Sequence, residues 1–326
     1  MGRFHTILGT GGIGTGSMWY LDDDRILSRN ESRPGVLSDA RDYCKQHIIL
    51  HYLAKALADD SHVYAIGKIG QDAAGTRLLE EMREAGMDVS CVGIQKDSVT
   101  MQSVCLQYPD HCVCNVTTSN SACQHVDAEY IHQCIGRLAP RWDSNVLIVA
   151  APEVPLAART ALLRIGKQHS AFCVASALCE EAEEFVLCGG LDICDLLVIN
   201  LEEAEVMFKG SAADIDLFAD SVQAQIPQTL TVIVTLGKDG SLVLDKSRKA
   251  KGAAAPIEKV VSTAGAGDAF TAGVLCGIHF GYDLFDSTGG RTALDFGHFF
   301  AGRSVMCKHT IDSSITANVV SQFVSG

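Results

Sequence analysis

Hydrophobic and polar positions along the chain follow two rhythms. Short runs rich in Val, Ile and Leu recur at Phe4–Leu8, Val63–Ile66, Asn145–Ala150, Ala171–Ala175, Leu196–Ile199 and Leu230–Thr235. Unbroken apolar runs of this length are expected of strands buried on both faces. Between them lie segments with apolar residues at helical spacing: Ala73–Ala85, Ala128–Leu138, Leu156–Gln168, Glu180–Leu187 and Glu202–Phe208, with a further helix at Gln46–Leu57. Strand–helix–strand repetition predicts an α/β fold, a three-layer sandwich around a mostly parallel central sheet. Ser241–Leu244, following Gly240, reads as an antiparallel return, and the chain beyond it as mostly helical. No linker and no internal repeat interrupts the pattern, so residues 1–326 are expected to form one domain.

Two stretches depart from this rhythm. Leu21–Asp42 is polar and contains Pro34-Gly35. Ser98–Thr118 alternates polar and apolar residues around Pro109-Asp110, which is the signature of a β-hairpin. Parts of both, within 21–42 and 98–118, are expected to form a small β-lid.

Composition narrows the function classes. The 326 residues are 47% hydrophobic and 20% charged, enough for a large core without metals or disulfides. Lys and Arg number 26 against 39 Asp and Glu, a net charge of −13 with no basic run. Such a surface repels nucleic acid and anionic membranes. No window has the length of a membrane span. The start, MGRFHTILG, has no secretory apolar core, so the thirteen cysteines are expected to be free thiols in a cytoplasmic protein. Cys112 and Cys114 beside His111 have the residue types of a metal site, but no second pair follows at zinc spacing. A strand presenting both thiols on one face is the better account. The myristoylation-like start at Gly2 and the sequons at Asn30 and Asn115 are expected to be accidental.

The strongest chemical signal is Ser262-Thr263-Ala264-Gly265-Ala266-Gly267-Asp268-Ala269-Phe270. A strand-like lead-in, Ile257–Val261, precedes it and an apolar helical run follows. Small residues let backbone N–H groups approach a ligand, and at a helix N-terminus they make an anion site. Asp268 then has the position of a proton acceptor for an attacking hydroxyl. A Gly-rich turn with an aspartate cap accounts for the same residues. On the residues alone, both readings stand.

This segment resembles the C-terminal signature of the PfkB family of carbohydrate kinases, which have the ribokinase-like fold. Further resemblances follow in the family's order. Gly67-Lys68-Ile69-Gly70-Gln71-Asp72-Ala73-Ala74-Gly75 is similar to its G-x-x-G-x-D-x-x-G segment, and Glu84-Ala85-Gly86-Met87-Asp88-Val89 to the ending that follows. Asn200-Leu201-Glu202-Glu203 is similar to its N-x-x-E motif, and Thr235-Leu236-Gly237-Lys238-Asp239-Gly240 to T-L-G-x-x-G.

The resemblance implies an ATP-dependent kinase for a hydroxyl of a small sugar or nucleoside. Asp268 would be the catalytic base, with Gly265, Ala266 and Gly267 as the anion hole. Asn200 and Glu203 would organise Mg²⁺, an ion that favours oxygen ligands. Thr235 and Gly237 would border ATP, and His298 stands where relatives carry Asn near the adenine. Each has a plainer alternative: a helix cap with a first-turn acid for Asn200 and Glu203, a strand-to-hairpin turn for Thr235 and Gly237, a satisfied helix residue for His298. Ser262 replaces the acid that usually opens the signature, which leaves dependence on a monovalent cation open. Lid strands of such kinases often pair between subunits, which makes a homodimer an expectation of the resemblance.

The N-terminal third is the least similar part. Relatives follow the first strand with an Asp for sugar hydroxyls, and no Asp stands at that offset here. Asp39, Arg41 and Asp42 precede the next helix, either as substrate contacts or as its solvated start. Gly9, Gly11 and Gly14 also match a dinucleotide fingerprint, which supports a rival NAD-dependent oxidoreductase. That reading requires a helix opening at Gly14. A third alternative is a kinase-like protein that binds without turnover.

Overall fold

The structure, a computed structural model, describes residues 2–58, 60–110 and 112–325. In chain order, β1 (Thr6–Thr10) leads into β2 (Gly14–Tyr20), and the short strands β3 (Val36–Leu37) and β4 (Asp42–Tyr43) precede α1 (Lys45–Ala56). β5 (His62–Gly70), α2 (Ala73–Glu84) and β6 (Met87–Gln95) follow, then β7 (Met101–Gln107) and β8 (Val113–Thr117). Alternation resumes with α3 (Ala128–Leu138), β9 (Val146–Ala150), α4 (Leu156–Gln168), β10 (Phe172–Ala175) and α5 (Ala182–Leu187). It continues through β11 (Leu196–Asn200), α6 (Leu201–Phe208), α7 (Ile215–Gln225) and β12 (Thr231–Thr235). β13 (Ser241–Leu244) and β14 (Lys249–Gly252) turn back, and α8 (Ala266–His279), α9 (Ala293–Val305) and α10 (Ala317–Ser325) end the chain.

Nine strands form the central sheet in the order β14-β13-β12-β11-β10-β9-β1-β5-β6. All neighbours are parallel except the two pairs that β13 makes. The strands divide the core by period two. On β1, Ile7 enters one apolar cluster and Leu8 the other; on β12, Ile233 faces the first while Val232 and Val234 face the second. Alternate residues of one strand therefore bury into opposite helical layers, which is why the runs read as continuously apolar. Among the described residues, no helix is long and apolar enough to cross a membrane.

A smaller, five-stranded sheet is built from β3-β2-β7-β8, with β4 also pairing to β2. Its hairpin, β7 and β8, lies within 98–118, while 21–42 is largely irregular and contributes only β3 and β4's first residue. Its central strand, β2, was not expected. Gly14-Thr15-Gly16 reads as a loop because glycine weakens strand propensity. β2 also removes the ground for a dinucleotide fold: Gly14 opens a strand, where that fingerprint demands a helix.

Other differences are local. Ile257–Val261 is irregular rather than a strand; the meander already ends at β14, and Pro256 cannot donate to a ladder. Cys112 and Cys114 are exposed free thiols, and His111 lies outside the described residues. Among the described residues no group of three or more His, Cys, Asp or Glu side chains is arranged to hold a metal ion.

α8 is buried from Asp268 to His279 and packs on α9 at very short range. A Cβ on Gly273 would overlap the carbonyl oxygen of Phe296, and one on Gly277 would meet Ala293 Cα at 2.8 Å. The obstacle at Gly273 is backbone, which no rotamer change relieves. Gly273→Ala is therefore expected to destabilise the protein by about 1–3 kcal/mol, the usual cost of overpacking, despite the roughly 1 kcal/mol that alanine gains in a helix. Urea unfolding of the two proteins measures the difference.

Candidate active site

The signature loop places its acid as its spacing suggested. Gly265 caps α8 in a left-handed conformation, φ +77°, and Asp268 stands in the helix's first turn, 8% exposed. The Ala266 N–H is turned back to the Thr263 carbonyl at 3.3 Å. Burial pushes the Asp268 carboxyl above its ordinary pKa, and the ammonium of Lys45, with Nζ 3.6 Å from Asp268 Oδ1, opposes that rise.

Asn200 ends β11 and caps α6. Its N–H donates to Glu203 Oε2 at 2.8 Å, and the Glu203 N–H donates to Asn200 Oδ1 at 2.8 Å. This reciprocal capping box is the plainer of the two alternatives, and it is present. The pair nonetheless lines a cavity of about 60 Å³ together with Lys45, Ser176, Gly267 and Asp268. Glu203 is 8% exposed, and burial raises its pKa. Capping fixes the two side chains; it does not remove their oxygens from the cavity wall. Side-chain and hydroxyl oxygens at Ser176, Asn200, Glu203 and Asp268 form a hard donor set suited to Mg²⁺ with its waters.

A second cavity, of about 300 Å³, adjoins the first. Its wall is mostly apolar, with Ala255, Ile257, Val260, Phe270 and Val305, and includes Gly237 and His298. Thr235 and Gly267 line both cavities. His298 is buried, its Nε2 lies 2.9 Å from Ser241 Oγ, and its ring meets Phe270 edge-on with centroids 5.0 Å apart. It is thus a satisfied helix residue that also forms cavity wall.

Two further acids join the site from elsewhere. Asp42 is buried, accepts from Ser103 Oγ at 3.1 Å and Cys105 Sγ at 3.2 Å, and is close enough to Asp268 to feel its charge. Gly16 makes room for it, since a Cβ there would overlap the Asp42 carboxylate. Glu153, at φ +76°, accepts the Lys45 N–H at 3.0 Å through Oε2. A non-glycine residue held at that angle costs of order 1–3 kcal/mol, and such strain concentrates at functional sites. Asp39 and Arg41, by contrast, are spent on exposed ion pairs with Lys308 at 2.6 Å and Glu81 at 3.1 Å.

Sequence reading missed Lys45 and Glu153. The signal for Glu153 was an acid just past a buried strand, in Ala151-Pro152-Glu153-Val154-Pro155, at the strand end where α/β sheets bind ligands. Lys45 carried only the weak signal of a charge opening an apolar helix.

Residues 49–317 match the pfkB family of carbohydrate kinases. The chain belongs to that family. It is a sugar or nucleoside kinase, a class that the relatives share. It is similar to a ribokinase of Schizosaccharomyces pombe, 26% identical over 236 residues covering 70% of each chain. It is likewise similar to an adenosine kinase of Saccharomyces cerevisiae, 26% identical over 270 residues, 74% of this chain and 72% of the other. Among solved structures, the ribokinase of Cryptococcus neoformans in complex with ADP superposes with a TM-score of 0.77 at 20% identity, covering 98% and 99% of the two chains. The ribokinase of Giardia lamblia gives 0.78 at 18%, with the same coverage. These structures show the shared fold. The pfkB match begins at residue 49, so Asp42 and Lys45 precede the matched span, whereas Glu153, Asn200, Glu203 and Asp268 lie inside it.

Glu153 gives a pH test of the site. Burial lifts its carboxyl from 4.5 to about 7, against the pull of Lys45. A raised carboxylate pKa means the folded protein holds the proton more tightly than the unfolded chain. The wild type therefore loses stability as pH rises from about 4.5 to 7, with the loss complete above that window. Glu153→Gln keeps the carbonyl acceptor for Lys45 but cannot ionise. Its melting temperature relative to wild type is expected to climb across that window and then level off. A difference flat in pH would show that Glu153 is not displaced.

Proposed function

We propose that the chain transfers the γ-phosphoryl group of ATP to a hydroxyl of a small sugar or nucleoside, with Asp268 as general base. The observation that carries this is the junction at Thr235 and Gly267, where the apolar cavity meets the small oxygen-lined one holding Asp268. A purine fits the apolar chamber, between Phe270, Val305 and the Gly237 turn. Phosphates would then reach the N-terminus of α8, where Gly265, Ala266 and Gly267 offer the anion hole. Asn200 and Glu203 would hold Mg²⁺ through its waters. Bound Mg²⁺ and ATP supply the phosphoryl group and neutralise its charge.

The protein's own part is positioning and proton transfer. Burial makes Asp268 a better proton acceptor than an exposed carboxylate, while Lys45 keeps it ionised. Asp42 and Glu153 are placed to accept further hydroxyls of a polyol, and their negative charge disfavours an anionic acceptor. The smaller sheet acts as a lid over that side. Its exposed Val36, Leu37, Val104 and Val116 suit a contact with a second copy of the chain.

A panel of pentoses, hexoses, their phosphates and nucleosides, assayed for ATP consumption with Mg²⁺, tests the reading; no turnover together with no ATP binding by calorimetry overturns it. Asp268→Asn sharpens it. The variant keeps the shape of the first turn but cannot take a proton, so turnover is expected to fall by roughly two to four orders of magnitude with ATP affinity little changed. Retention of more than about a tenth of wild-type turnover would place the base elsewhere.

A further inference from the structure

Two thiols meet at the foot of the lid hairpin. The hairpin β7–β8 leaves the main sheet after β6, and the chain returns through α3 to β9. Cys91 on β6 and Cys134 on α3 come together across that stem, 1% and 0% exposed. Cys91 Sγ lies 3.7 Å from the Cys134 carbonyl oxygen, and Cys134 Sγ lies 4.0 Å from that of Cys91. The two sulfurs also share a hydrogen bond, in which the Cys91 thiol donates. Lys68, on the neighbouring strand β5, holds its ammonium 4.6 Å from the centre of the Tyr130 ring, one turn before Cys134.

This contact gives the two thiols different roles. The hydrogen bond from Cys91, with help from the Tyr130 hydroxyl and the charges of Arg137 and Lys68, draws Cys134 down to about 7 against the cost of burial. Among the described residues, every other thiol displaced from its ordinary value moves up. A thiolate beside a donor and cations is the reactive form of cysteine, and a second thiol in contact with it resolves the oxidised product. The cover over the pair is thin. β6 is the outer strand of the sheet, and Arg137, itself exposed, bridges from α3 to the Ser90 carbonyl through Nη1 at 2.9 Å. An edge strand held by one surface side chain opens at low cost.

We propose that Cys91 and Cys134 are a redox-active pair, which hydrogen peroxide converts into a disulfide that closes the stem of the lid hairpin. The Cys134 thiolate attacks one peroxide oxygen: an S–O bond forms, the O–O bond breaks, and hydroxide leaves. Cys134 is then a sulfenic acid. The Cys91 sulfur attacks it, the S–S bond forms, the S–O bond breaks, and the departing hydroxide takes the Cys91 proton as water. Two thiols are oxidised, and one peroxide is reduced to two waters. The closed loop contains β7 and β8, so the crosslink restricts the unfolded chain while joining groups already in contact.

The test uses the full chain carrying Cys112→Ser, Cys114→Ser and Cys179→Ser, which removes the exposed thiols. The reduced protein is treated with hydrogen peroxide, and its peptides are mapped by mass spectrometry without reduction. The expected product is a Cys91–Cys134 linkage that dithiothreitol reverses, with a melting temperature raised on the order of 5 °C. In Cys91→Ala, oxidation is expected to stop at a Cys134 sulfenic acid, which dimedone captures. A folded protein whose map lacks the linkage overturns the proposal. So does a linkage that leaves the melting temperature unchanged or lower, because the two sulfurs would then not be set for it. Dimedone capture at Cys91 in Cys134→Ala, with none at Cys134 in Cys91→Ala, overturns the assignment of roles. The linkage map is read with both cysteines present, so it requires neither alanine variant to fold.

Discussion

The constraint on which the site depends is the crowding of negative charge into a volume shielded from water. Asp42, Glu153, Glu203 and Asp268 each have their pKa raised, with burial the largest cause in every case. The fold tolerates this because each carboxylate has a partner: Ser103 and Cys105 for Asp42, the Lys45 N–H for Glu153, the Asn200 N–H for Glu203, and the Lys45 ammonium for Asp268. Lys45 serves two of them through two different atoms. The position of α1's first residue is therefore as much a part of the site's charge balance as the signature loop.

Rigid neighbours hold this arrangement. α8 carries Asp268, and its close approach to α9 leaves no room even for a methyl group at Gly273. At its N-terminus, Gly265 sits against the Thr310 carbonyl, and Thr310 in turn bonds to the backbone of Arg41, through its N–H to the Arg41 carbonyl at 3.1 Å. The loop after α9 thus connects α8 to the segment that presents Asp42 and Lys45. A displacement of α9 reaches both sides of the site at once.

How much of this could be read in the sequence follows from how local each signal is. Val146–Ala150 or Thr231–Thr235 is apolar on both faces because each face meets its own helical layer, so periodicity finds it directly. Asp268 is legible because the loop, cap and helix that define it are consecutive. Asn200 and Glu203 are legible as a pair, but a cap and a metal support have the same spacing; the structure shows the cap, with both residues on the wall of the cavity that holds Asp268. Lys45 and Glu153 lie more than a hundred residues apart and meet through tertiary structure, so no spacing announces them. β2 was hidden by its own function. The glycine that depresses its strand propensity, Gly16, is what admits the Asp42 carboxylate.

These differences are unevenly distributed for a chemical reason. The groups proposed to face the phosphoryl donor, from Asn200 to Asp268 and His298, fall within the span that matches the pfkB family, whereas Asp42, Lys45 and the strands β2 to β4 precede it. A phosphoryl donor presents the same charges to every member, and a helix N-terminus with an adjoining carboxylate satisfies them in one way. An acceptor presents hydroxyls in arrangements that differ from one molecule to the next, and short lid strands on a fixed sheet can vary without moving α8. On the proposed function, the acid facing the acceptor comes from β4, in register with Gly16 of β2, and can vary without disturbing the proposed base. On the proposed function, specificity would be set by residues 14–45 together with Glu153, and the transfer chemistry by the carboxyl ends of β11 and β12 and the helix behind them.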